Sequence, residues 1–266
     1  MTPTDAPATP QQPGHHRWLQ PTEPIARTAT TAVARPLLRM RWEALTYLHW
    51  AVDPQVVADQ LPAGLSPDVH EGRTYVGLIP FRMAGIGLSP AGVPLPQGTF
   101  PETNVRTYVV GPDGGRGVYF HSLDITRLAP TTVARVGYQL PYCFSAMHID
   151  RRGDRVGYLT RRRWPSPRGA HSRTVIELGD RLADDEITPL DDFLSARWSL
   201  YAASPTGAIL RALVDHGPWP LRHARVVVSE DELMAAAGYH LDVAHPDHVR
   251  YGGDVDVRVG PPRRVG

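Results

Sequence analysis

The chain contains no lysine. All 28 of its basic residues are arginine, so no side chain carries the primary amine that a Schiff base with a carbonyl substrate requires. A single cysteine, Cys143, leaves no intrachain disulfide to form. No apolar run reaches membrane-spanning length, and the start MTPTDAPATPQQPGHHRW lacks the charged opening and apolar stretch of a secretory signal. These absences predict a cytoplasmic protein without a membrane partner. Basic and acidic residues nearly balance, 28 against 27, so the charge excess of a nucleic-acid binder is missing too. There is no dinucleotide fingerprint, and PDGGRG lacks the spacing and the following lysine of a phosphate loop. No cofactor is expected.

What is present suits one large domain: 266 residues, 42% hydrophobic and 21% charged. Residues 1–35, rich in Thr, Pro, Ala and Gln, read as a disordered tail, and residues 36–262 as the folded domain. In RWEALTYLHW, Trp42, Ala44, Thr46, Leu48 and Trp50 alternate with Arg41, Glu43, Leu45, Tyr47 and His49, a strand pattern. TYVGLIPFRM is apolar on both faces apart from Arg82, as an interior strand would be. FPETNVRTYV and GVYFHSLDI flank GPDGG, whose glycines supply the positive φ of a tight hairpin. Further strands follow in YCFSAMHI, VGYLTRRRW, HSRTVIELG, LRHARVVVS and VRYGGDVDVRV. Short helices are predicted after an Asp53 cap with Pro54, over TTVARVGYQ, over PLDDFLSARW, and over SEDELMAAAG with a Ser229/Glu232 capping box. About ten strands with three or four short helices give a mainly β (α+β) fold, an antiparallel barrel or sandwich.

Within FPETNVRTYV, alternation places Glu102, Asn104, Arg106 and Tyr108 on one face. By itself that row is either a solvated face or the wall of a polar pocket. Ser122 and Asp124 share a face of the next strand with Phe120, and His121 lies on the opposite one. With no nucleophile elbow, a Ser-His-Asp triad is not formed. His240, His245 and His248 match no zinc spacing and read as surface residues, so no metal site is expected. Cys143 reads as a small core residue.

GLIPFRM, FPETNVRTYV, GVYFHSLD, LPY and FLSARWSLY, in that order, resemble the YqjF-like family, a domain of unknown function, itself similar to acetoacetate decarboxylase. The resemblance spans about residues 36–262. It implies an antiparallel β-barrel with a few short peripheral helices. Acetoacetate decarboxylase works through a lysine iminium, and the similar segment here is ARVGYQLPYC, which sets Tyr142 at the lysine position and Cys143 beside it. Phe100-Pro101-Glu102 resembles the segment carrying an acid, a second acid has no counterpart in TYVGLIPFRM, and the arginine for a substrate carboxylate is expected near Arg41. The scaffold is kept, and the iminium machinery is gone.

The resemblance places Glu102 in a barrel cavity, where burial raises its pKa and Arg106 lowers it. The implied site has Glu102, Arg106 and Tyr142 as catalytic candidates and Arg82, Asn104, Tyr108, Ser122 and Asp124 as ligand-binding candidates. One reading is acid/base chemistry of the lyase, isomerase or hydratase type on a small keto or enol acid. The other is a binding or sensing barrel without turnover, in which Glu102 and Arg106 form a structural ion pair. A homo-oligomer is compatible with either.

Overall fold

The structure, a computed structural model, describes residues 18–88, 93–127 and 137–266. Within them the strands are β1 (Leu38–Val52), β2 (Ser66–Pro67), β3 (Thr74–Leu88), β4 (Val93–Pro94), β5 (Phe100–Val110), β6 (Arg116–Ile125), β7 (Tyr142–Arg152), β8 (Arg155–Trp164), β9 (His171–Arg181), β10 (Ser199–Ala203), β11 (Ile209–His216), β12 (Arg222–Asp231), β13 (His248–Val259) and β14 (Arg263–Val265). The helices that lie wholly within them are α1 (Pro54–Ala58), α2 (Pro189–Ser195) and α3 (Leu233–Ala236), and Gly137 and Tyr138 are helical as well. None of the described helices is long and apolar enough to cross a membrane.

All fourteen strands belong to one sheet, and the sheet forks twice. At β6, Val118 and Tyr119 pair with β10 whereas Leu123 to Ile125 pair with β7. At β13, Arg250 and Tyr251 pair with β12 whereas Val257 and Val259 pair with β11. Five strands, β13-β1-β3-β5-β6, are therefore common to two closed rings. Adding β10 and β11 closes a ring of seven, and adding β7, β8, β9 and β12 closes a ring of nine. Closure removes free edges, and it covers both faces of the shared strands. That is why β3 is apolar on both: Ile79, Phe81 and Met83 enter the main core while Val76 and Leu78 enter a second one.

The barrel is mixed rather than purely antiparallel, because β6 runs parallel to both β7 and β10. Parallel neighbours need long crossovers, and in the chain residues 126–141 lie between β6 and β7. The helix predicted over TTVARVGYQ falls largely in residues 128–136, outside the described residues.

Three further expectations change. The helix over PLDDFLSARW stops at Ser195, and the chain turns into β10 and β11, two strands the alternation pattern did not show. The Ser229/Glu232 capping box does not form at α3: Glu232 at the N-cap makes no side-chain cap bond, the Asp231 carboxylate accepts from Met234 N at 2.8 Å, and Ser229 is committed to Val243 O. Residues 18–35 are also bound to the barrel. Leu19 N donates to Ser66 Oγ, Glu23 pairs with Arg211 at 2.6 Å and accepts from Arg116 N, Arg27 pairs with Asp192 at 3.0 Å, and Ala26 O accepts from Trp198 Nε1. Composition misses such a strap because polar contacts hold it rather than buried apolar area. Residues 1–17 lie outside the described residues.

Candidate active site

The seven-stranded ring encloses a cavity of about 100 Å³, room for roughly six to ten non-hydrogen atoms if each water-sized sphere takes about 10–15 Å³. The wall from β1 depends on a bulge. Ala44 takes a φ of 50°, and the register slips between Trp42 and Leu45, so the extra residue changes which side chains share a face. Met40 and Trp42 before the bulge, and Leu45 and Tyr47 after it, all line the cavity. Thr46 is turned to the other ring, where its hydroxyl meets Tyr158 at 2.8 Å. Strict alternation had set Trp42 and Thr46 on one face.

Along β5, Glu102, Asn104 and Arg106 line the cavity. Glu102 is 2% exposed and its Oε2 has no hydrogen-bond partner. Burial pushes its pKa up to about 8; a hydrogen bond from Asn104 pulls the other way, and the Asp124 charge adds to the rise. Arg106 plays no part in this, because no ion pair joins the two among the described residues. Four residues of strand separate their Cα atoms by about 13 Å, and the guanidinium is drawn elsewhere. Arg106 Nη2 donates to the Tyr108 hydroxyl at 3.1 Å and to Leu194 O at 3.3 Å, and its carbon lies 5.5 Å from the Tyr47 ring centre. Its Nε is unbonded. The expected opposition of burial and Arg106 is replaced by burial opposed by the Asn104 hydrogen bond, and the structural ion pair is absent among the described residues.

Tyr108 sits behind Arg106. Its hydroxyl donates to Leu194 O at 2.9 Å, so it accepts from Arg106 and, at 2.6 Å, from His49 Nε2. The His49 ring fits because Gly77 faces it: a Cβ there would lie 2.9 Å from His49 Cδ2. Tyr142 lines the cavity beyond Glu102, and burial, then the Glu102 charge, drive its phenol pKa well above the usual value. Cys143, the next residue, is buried.

Three expected site residues lie elsewhere. Arg82 is on the outer face, because Phe81 and Met83 point inward; it is 54% exposed and pairs with Glu43 at 3.0 Å. Ser122 and Asp124 point into the nine-stranded ring. A bulge at His121 aligns Val105 with Ser122 but Arg106 with Phe120, which breaks the alternation linking Ser122 to Phe120. Asp124 there binds Arg162 in a two-point contact at 2.6 and 2.9 Å and accepts from Ser145 at 2.6 Å, while Ser122 Oγ accepts from Arg162 at 2.9 Å. His248 is buried at the start of β13 and bonds Asp191 at 2.7 Å, so it is not a surface residue. No group of side chains suited to a metal ion occurs among the described residues.

Residues 39–256 match the DUF2071 family, described as an uncharacterized conserved protein. The chain belongs to that family. It is 27% identical to the uncharacterized protein YqjF of Bacillus subtilis over 228 residues, 86% of this chain and 92% of the relative. Its fold is that of acetoacetate decarboxylase from Legionella pneumophila, with a TM-score of 0.61, 11% identity and 87% of each chain covered. It also resembles the enduracididine biosynthesis enzyme MppR complexed with pyruvate, with a TM-score of 0.58, 13% identity, and 90% and 93% of the two chains covered.

Alternation alone did not reveal two groups in this DUF2071 cavity. Arg197 follows α2 and reaches back into the ring. Its Nη1 binds Asp68, its Nε donates to Phe193 O at 2.7 Å, it stacks on the Phe193 ring at 4.2 Å, and its Nη2 is unbonded. FLSARW was a legible segment, but reading it as helix hid the reach of the arginine. His216 closes β11 among Trp42, Trp198 and Trp219, and a lone histidine at a strand end carries no sequence signal.

Proposed function

We propose that this DUF2071 barrel binds a small keto or enol acid and moves protons on it, with Glu102 as the acid/base group and no lysine iminium. The observation carrying this reading is a pair of unmet charge requirements in one cavity. Among the described residues, Arg106 is a buried cation with no carboxylate partner, and Glu102, four residues along the same strand, is a buried carboxyl with no cation. A buried guanidinium cannot lose its proton, so it favours an anionic ligand. A carboxylate at the Arg106 and Arg197 end would fill both free donors and leave the body of the ligand beside Glu102, Asn104 and Tyr142. Near neutral pH Glu102 holds a proton that it can give to a carbonyl oxygen, and Tyr142, fully protonated, can donate a second hydrogen bond. The pyruvate complex of the similarly folded MppR supports the ligand class.

The test is thermal shift and NMR turnover with pyruvate and acetoacetate. Stabilisation of the wild type that is lost in Arg106→Met, with turnover lost in Glu102→Gln while binding persists, is the expected result. Binding without any turnover would instead make the protein a sensing barrel, and no binding at all would sink the reading.

A further inference from the structure

One acid cannot both give and take a proton in the same step, and the cavity holds a second group suited to the opposite role. His216 lies on β11, and its ring is packed 4.5 Å from Trp198 and 4.9 Å from Trp219, centre to centre. Its Nδ1 is 2.6 Å from Gly217 O. A carbonyl only accepts, so Nδ1 carries the hydrogen and the Nε2 lone pair remains for a ligand. His216 lines both the cavity and an outer groove between Arg39, Asp215 and Asp256, at the wall where the two meet.

Topology sets His216 across from Glu102. In the seven-stranded ring β5 and β11 are separated by β6 and β10 one way and by β3, β1 and β13 the other, as far apart as seven strands allow. A chain of contacts runs between them: Phe81 is paired with Glu102 in register and lies 5.7 Å from Trp42, and Trp42 lies 6.2 Å from His216. The two groups are also in opposite protonation states at neutral pH. Burial, aided by the Arg106 charge and opposed by Gly217 O and Asp215, lowers the His216 pKa to about 4. A carboxylate seated on Arg106 would offset that cation and make the imidazole more basic.

We propose that His216 Nε2 is the base that removes a proton from the carbon beside the substrate carbonyl while Glu102 protonates the carbonyl oxygen. The C–H electron pair becomes the C=C bond of an enol, the C=O pair takes the Glu102 proton, and imidazolium and carboxylate remain. Return of a proton from His216 to carbon and of the enol proton to Glu102 restores both groups, so the cycle needs no co-reactant. This inference rests on the acid-binding reading above.

The probe is pyruvate in D2O, its methyl protons followed by NMR and its binding by thermal shift. Wild type should exchange the methyl protons, and His216→Asn, which can keep a donor toward Gly217 O, should bind pyruvate within threefold of wild type yet exchange at least about 100-fold more slowly. Exchange at the wild-type rate in His216→Asn overturns the proposal and leaves the Glu102 reading standing, and binding without exchange in wild type overturns it and leaves only the binding of the acid. Failure of wild type to bind pyruvate overturns both. Should His216→Asn not fold, the nitrogen shifts of wild-type His216 decide: an Nδ1–H tautomer whose bare Nε2 shifts on adding pyruvate is expected, and an Nε2–H tautomer or an unmoved shift refutes it.

Discussion

At the scale of the residue, the sign of the Glu102 pKa makes a stability prediction. Its folded value, about 8, lies above the ordinary carboxyl value of 4.5, so the folded state holds the proton to higher pH than the unfolded state does. The contribution is complete below about pH 4.5 and is lost as pH rises through 8, at up to about 1.4 kcal/mol per pH unit. Urea titrations should therefore show Glu102→Gln gaining on wild type between pH 5 and 8. Parallel curves would mean that Glu102 ionises normally and faces water. Arg106 gives the complementary expectation: Arg106→Met removes an unpaired buried charge, so the ligand-free protein should melt no lower than wild type while losing its response to pyruvate. The row Glu102-Asn104-Arg106 was legible because β5 is regular where it meets the cavity. Its partner groups were not, since Arg197 and His216 arrive from segments distant in sequence.

At the scale of the element, two bulges decide what faces the cavity. Alternation is a rule of period two, and each extra residue reverses it, so the faces of β1 beyond Ala44 and of β6 beyond His121 could not be read from the text. The slip in β6 moves Asp124 into the nine-stranded ring, where Arg162 is its buried counter-charge. Arg162→Met leaves that carboxylate uncompensated and should lower stability by about 3–5 kcal/mol, with recovery when Asp124→Asn is added. An additive double mutant in chemical denaturation would show that the pair is not coupled. The strap of residues 18–35 is an element that composition concealed. Its main anchor is Glu23, which neutralises Arg211 at a position 15% exposed and meets Arg116.

At the scale of the molecule, the barrel class was legible from many short strands and hairpin turns, but the double closure was not. The pairings that close the rings, β6 with β10 and β11 with β13, join segments far apart in the chain and are short. The closure has a thermodynamic consequence. Because β13, β1, β3, β5 and β6 serve both rings, neither ring can open without stripping one face of the strands that form the other. The cavity and the Asp124–Arg162 pair lie on opposite faces of β5 and β6, so damage to one should be felt by the other. Calorimetry of Arg162→Met should show one transition, lowered as a whole, with calorimetric and van't Hoff enthalpies equal as in wild type. Pyruvate should raise that same transition, although the cavity proposed to hold it belongs only to the seven-stranded ring. Two resolved transitions, one of them insensitive to pyruvate, would show that the shared sheet does not couple the rings.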